Sequence, residues 1–507
     1  MIRVFPVLVA TLCANAGIAQ DAQPLSAIDW LSQSVQMPAP ALAQPKPKTA
    51  EPPVAAHAGT PQVTVTALDA PSPDPTGLLP PETTGLPRDL WALSGSAVLA
   101  TLLADQKPSP IPAVHELVMT LLLAEADPPL GAGPAGDLFI ARIDKLLGLG
   151  ALDPALAMIE QVSPDTPDLF RRWFDVALLT GAEDAACDVM RGIPTVAPTV
   201  QARIFCLARG GDWNAAALSL NTHRVLGDIT PAEEALLSRF LDPELYEDEP
   251  PLPVPERITP LVFRMFEANG EPLATRRLPN AFAHADLRDI TGWKSQLDAA
   301  ERLTAIGAVS ENVLFAAYTA RTPAASGGVW DRAKAVQLLD AALRDKNVDD
   351  VATYLPAAWD AMREVKLEVP FAKIVVPQLN DITLLGTSAD LAVTLGLLTA
   401  DYETVAQTAP ANFLTALAQG RPTAPSTPTE TAIFHAFTDG DPDPELEALA
   451  RNGNLGEALL RSIDTFEVGF AGDPMALTEA LALWRMVGLE DIARRAALQL
   501  LILDRAP

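Results

Sequence analysis

The chain has 507 residues, with 64 acidic against 36 basic side chains and a formal net charge of -28. An acidic surface repels phosphate backbones and anionic lipid faces, which reward clustered Lys and Arg, so no nucleic-acid partner is expected, and the acidity is read as solubility in preference to a cation-binding role. The length exceeds a single core and calls for two or more packing units or one extended array. Aromatic residues are 6% of the chain, Leu and Ala dominate, and there are 47 prolines against 29 glycines. Ala and Leu form helices well and proline is disfavoured inside them, so the expectation is helices separated by hard stops.

Residues 1–19 read as a signal peptide. Met1-Ile2-Arg3 supplies a positive start, Val4 to Ala14 an apolar stretch, and Gly17-Ile18-Ala19 a small-residue cleavage site. The apolar run gives way to Asn15, Gln20 and Asp21 well short of the roughly 20 residues that a membrane anchor needs. Leu12 before Cys13 is larger than the small residue expected at a lipid-attachment site. No later run is long and charge-free enough to span a bilayer. The expected localisation is periplasmic, through a cleaved leader, with no membrane insertion.

Residues 20–86 are dense in Pro, Ala, Thr and Ser, as in "PAPALAQPKPKTAEPPVAAHAG". Such a segment buries too little apolar surface to offset its ordering entropy, and it is read as a disordered tether. Two islands differ. "LSAIDWLSQSV" places Ile28, Leu31 and Val35 on one helical face beside Trp30, a candidate docking motif, and "QVTVTAL" alternates Val63 and Val65 with threonines as a lone strand would. An ordinary apolar patch is the competing reading of each.

From residue 87 onward the pattern is helical. A first helical-repeat block is expected over 87–245, an acidic Pro-rich loop over 246–260, and a second block over 261–507, interrupted by "GRPTAPSTPTE". "ITPAEEALLSRFL" opens with Thr230 as N-cap, Pro231 at the first helical position and Glu233 at the third.

Within both blocks a glycine is followed five residues later by alanine: Gly150 with Ala155, Gly181 with Ala186, Gly211 with Ala216, Gly453 with Ala458, and Gly488 with Ala493. The glycine is expected to end one helix in the left-handed conformation, a polar residue after it to cap the next, and the alanine to let the two axes approach. Asn347 with Ala352 repeats the pattern with the other residue that tolerates a left-handed backbone, and Gly307 keeps the turn without the alanine. Adjacent copies are 31, 30 and 35 residues apart.

A helix-turn-helix unit at about that spacing resembles the tetratricopeptide-like repeats, with "GDWNAA" and "ADYETV" most similar to their turn. The resemblance is degenerate, because the large aromatic positions are not regularly filled. It implies an all-α, irregular solenoid of helical hairpins. Over the whole chain, "LPRDLW", "FRRWFD" and "ARIFCLARGGDWNAAAL" are similar to secreted alpha-proteobacterial proteins sometimes labelled "antifreeze glycopeptide polyprotein". That label follows composition and implies neither ice binding nor a mechanism.

Beyond the leader two cysteines remain. Cys187 and Cys206 lie in consecutive expected helices, with the turn "GIPTVAPT" midway between them. Antiparallel packing would set them at the same height, and an oxidising compartment would join them in a disulfide. Buried free thiols are the alternative. A nucleophilic Cys206, its thiol acidified by Arg203 or Arg209, also needs a histidine partner, and the nearest is His223.

Other chemical signals are weak. "GAGPAG" at 131–136 spells a dinucleotide fingerprint but follows no strand, and a turn is expected there. "HELVMT" begins like a zinc-protease helix, yet Met119 stands where the second histidine belongs. Histidines 57, 115, 223, 284 and 435 are scattered. No catalytic residue, cofactor or metal site is assigned. The expected function is a non-enzymatic scaffold or adaptor whose helical-repeat surface binds a protein partner in the cell envelope. The alternatives are a chaperone or a binder of glycan polymer, which needs an aromatic groove, and a cell-wall lytic enzyme, which needs a compact catalytic domain.

Overall fold

The computed structural model describes residues 72–503 and Arg505. Over these residues the chain is all-helical, and its hairpins stack into an irregular solenoid. Extended pairing is confined to two isolated bridges, Leu79 with Ala124 and Gly95 with Leu130.

The prolines explain how the helices begin. Thr166-Pro167, Thr230-Pro231, Thr259-Pro260 and Thr427-Pro428 each put proline at the first helical position, where no amide proton is needed, and the threonine oxygen accepts a backbone N–H one turn on. Asp443-Pro444 and Asp473-Pro474 do the same with a carboxylate. At Thr230 the capping box is complete, Glu233 returning a bond to the Thr230 N–H at 2.8 Å. Proline is not confined to helix starts, however. Pro356 lies inside Val348–Arg363 and Pro377 inside Glu368–Leu379, so neither helix obeys the expected stop.

The corners are built from backbone bonds more than from side-chain caps. Gly150, Gly181, Gly211, Gly453 and Gly488 all have φ between 82° and 89°. In each case the next N–H reaches back to the carbonyl five residues before it: Ala151 to Leu146, Ala182 to Ala177, Asp212 to Leu207, Asn454 to Leu449, Leu489 to Trp484. This is the Schellman closure, and it satisfies the carbonyls left open at the helix end. The expected polar cap is present at Asp212, whose carboxylate accepts from Ala215, but Ala151, Ala182, Asn454 and Leu489 make no side-chain cap bond. At the Asn347 corner the left-handed residue is Lys346, at φ 49°, and Asn347 caps the next helix instead. The alanines behave alike: Ala155, Ala186, Ala216, Ala458 and Ala493 are fully buried, which lets the paired helices approach.

The tether is expected to reach residue 86, but 72–86 are already part of the fold. The buried Asp74 carboxylate accepts the Phe139 N–H at 2.8 Å, and the Arg142 guanidinium donates to the Asp74 and Thr76 carbonyls. The same side chain donates to Leu122 and Ala124, so one fully buried arginine ties the leading segment to two neighbouring elements. Burial lowers its pKa to about 10, against a smaller opposing pull from Asp74.

The two ends of the described chain meet. The helix Ser96–Asp105 packs on Leu455–Phe470, and Pro112–Leu123 packs on Glu490–Ile502. Gln106 donates to the Leu460 carbonyl and to Asp464, Gln499 accepts the Ala113 N–H at 2.7 Å, and Asn454 donates to the Leu93 carbonyl. Trp91, fully buried, lies over Gly456, where a Cβ would stand 2.3 Å from its ring. The largest apolar cluster therefore takes side chains from both sides of the loop at 246–260, among them Leu117, Phe139, Phe282, Leu459, Trp484 and Leu498. A second cluster takes side chains from Trp293 to Leu398 together with Leu503, and a third surrounds the two cysteines.

Candidate functional site

Cys187 and Cys206 form a disulfide that joins Glu183–Gly192 to Val200–Arg209, with Cα atoms 4.9 Å apart. Both are buried among Phe174, Phe205, Ala186 and Ala202. Arg209 is held by Asp184 at 2.7 Å, and His223 in the following helix is held through Nδ1 by Asp228 at 2.8 Å. The bond leaves no thiolate for either arginine to stabilise. The docking candidates Ile28, Trp30, Leu31 and Val35 lie outside the described residues.

The buried charges are structural in their connections. Glu183 receives Arg264 at 2.5 Å, Glu267 bridges Arg264 and Arg288, Arg172 makes a bidentate pair with Asp144, and Arg332 a bidentate pair with Glu301. All but the Arg264–Glu267 contact, which lies within Pro260–Ala268, link different elements, and the bidentate geometry at Arg172 and Arg332 helps to offset the desolvation of the charges. Asp175, beside Arg171, is pushed up to about 7 by burial, which outweighs the two arginines near it.

The "HELVMT" stretch lies in Pro112–Leu123. Glu116 is taken by Lys373 at 3.0 Å and by Arg495, which outweigh its burial and lower its pKa. His115 is buried against the corner at Gly307, its Nε2 without a hydrogen-bond partner, and burial lowers its pKa to about 4. Among the described residues no His, Cys, Asp and Glu side chains converge on a metal-binding arrangement, and no helix is long and apolar enough to cross a membrane. "GAGPAG" forms a turn leading into Asp137–Leu149.

His115 predicts an acid-sensitive fold. Its pKa is about 4 folded against 6.5 unfolded, so below 6.5 the unfolded chain binds the proton that the folded chain refuses, and stability falls as pH drops toward 4. The full loss is about 3 kcal/mol at 1.36 kcal/mol per pKa unit. Asp175 acts in the opposite sense, its protonated form favouring the fold as pH falls below about 7. The measurement is therefore a difference: urea unfolding of wild type and His115→Leu from pH 7.5 to 4.5. The wild type should lose stability relative to the variant across that range, and parallel curves would refute the assignment.

Two concavities stand out among the described residues. A crevice lined by Leu314, Tyr318, Val336, Met362 and Phe371 offers about 20 Å³, room for a single water. The second is a groove of about 580 Å³ between Pro428–Thr438 and Pro474–Met486. Its apolar part is Pro428, Ala432, Pro474 and Met475, the last 70% exposed. Its polar part is His435, Asp439, Asp441 and Glu479. His435 Nδ1 is 2.8 Å from Asp439, a pairing that also lowers the pKa of that carboxyl. Glu479 is pushed up by burial and by the nearby carboxylates of Asp443 and Asp473. The two hydroxyls in the groove are already engaged: Thr431 donates to the Thr427 carbonyl and Thr478 to those of Ala432 and Pro474. Neither is set up as a nucleophile for the histidine.

This groove was not found from sequence. Its signal is the run Asp439-Gly-Asp-Pro-Asp-Pro-Glu445, which reads as a loop until Glu479 and Met475 are brought beside it. No protein-family model, curated protein or solved structure matches the chain.

Proposed function

We propose that the protein is a non-enzymatic scaffold of the periplasm that binds a protein partner through its helical-repeat surface. The observation that carries this reading is the groove of about 580 Å³ on the surface of Pro428–Thr438 and Pro474–Met486, two helices that pack on one another. The Cys187–Cys206 bond supports an oxidising compartment. A glycan-binding reading draws less support, because among the described residues Trp213 is the one exposed tryptophan, with Trp91, Trp293 and Trp484 buried in the cores.

The test is a photo-crosslinking amino acid placed in living cells at Met475, and at Leu385 as an exposed control. Position 475 should give a discrete adduct with another protein that position 385 does not. Equal adducts from both positions, or none from position 475, would remove the groove as a partner-binding face.

A further inference from the structure

We propose that the groove takes a basic, partly apolar segment of its partner: a Lys or Arg beside a hydrophobic residue. This inference rests on the groove being the docking face and goes further by naming what fits it. Charge complementarity carries it. The lining holds Asp439, Asp441 and Glu479 and no Lys or Arg. Asp443 and Asp473 stand close enough to raise the pKa of Glu479. The nearest arginine of the groove helices, Arg485, is turned elsewhere: it donates to the Ala436 carbonyl, pairs with Glu490 and lies over the Phe437 ring.

Of the carboxylates here only Asp439 has a partner that can carry positive charge, the His435 ring. Asp443 and Asp473 each cap a helix, accepting two backbone N–H groups, and so fix the N-termini of Pro444–Arg451 and Pro474–Met486 beside the groove. Among the described residues Asp441 and Glu479 form no ion pair with a basic side chain. Between them the apolar part, with Met475 at its edge, can accept the aliphatic stem of a Lys or Arg and the side chain next to it. The cationic head then stays at the carboxylates. An acidic segment would meet five carboxylates, and a purely apolar one would leave them facing its surface.

The test uses the purified full chain and two fluorescein-labelled peptides of alternating sequence, one Leu-Lys and one Leu-Glu, followed by fluorescence anisotropy at low salt. The Leu-Lys peptide should bind, and it should bind more weakly as salt rises. The Leu-Glu peptide should not. Asp441→Asn with Glu479→Gln should weaken binding about tenfold. Asp349→Asn with Asp360→Asn, on the exposed side of Val348–Arg363, should leave it unchanged. A photoreactive Leu-Lys peptide should label the segments 428–441 and 473–479. Equal weakening by both double variants would mean that the peptide follows net charge alone, and labelling elsewhere would mean another site. Either result overturns the proposal. If position 475 captures a protein in cells while the Leu-Lys peptide does not bind, the docking face survives and the basic ligand class fails.

Discussion

Replacing Arg142 by methionine should cost about 3 kcal/mol, because it leaves several buried carbonyls without their donor. The guanidinium donates to four carbonyls: Leu122 at 2.7 Å, Ala124 and Thr76 at 2.8 Å, and Asp74 at 3.2 Å. Methionine fills much of the same volume but supplies no donor. Each buried acceptor left without a partner costs about 1–3 kcal/mol, partly offset because the charge itself no longer has to be desolvated. Arg142→Lys should fall between, since an ammonium has three donors in place of five and no planar fork. Urea unfolding reads the loss, and limited proteolysis should release the segment near residues 72–80 first. A loss below about 1 kcal/mol would show that water replaces the arginine without penalty.

The disulfide is the second large term. It closes a separation of 19 residues, for which the chain-entropy model gives about 3 kcal/mol. Cys187→Ser and Cys206→Ser should therefore lower stability alike, and the double variant should be little worse than either, because both single changes remove the same bond. Thiol labelling of denatured, unreduced protein followed by peptide mapping should leave both positions unmodified, and reduction should expose both. Unequal single variants would mean that the packing of one side chain, and not the bond, dominates. The groove lies on other helices, so peptide binding should persist in all three variants at temperatures where the fold holds.

What could be read in the sequence was local. Thr230 with Pro231 and Glu233 specifies a helix start within four residues, and Gly211 specifies a corner because only a residue without a side chain adopts φ 82° freely. The cysteines were legible for the same reason, being on two consecutive helices separated by one short turn. Lys346 shows where local reading fails. Both it and Asn347 can be accommodated at a corner, and the final placement follows from which of them completes the bond from Asn347 N–H to Ala342. Arg142, Gln106 and Gln499 carry no signature at all. Each is an ordinary polar residue in a helical pattern until the chain brings it to carbonyls or amides far away, in the case of Gln499 and Ala113 across 386 positions. The groove is of the same kind, since the acidic run at 439–445 becomes one wall of a cavity only when Pro474–Met486 supplies the other.

The meeting of the two ends has a consequence for how the molecule is made. In an open array each repeat rests on its neighbours, and assembly can proceed as the chain emerges. Here Trp91, Leu117 and Leu121 wait for a surface formed by Leu459, Trp484 and Leu498. A nascent chain that lacks its last hundred residues must hold those side chains without their partners, exposed to other chains or covered by a holdase. Completion joins side chains more than three hundred residues apart in sequence, so the largest cluster closes only once both ends of the chain are available together.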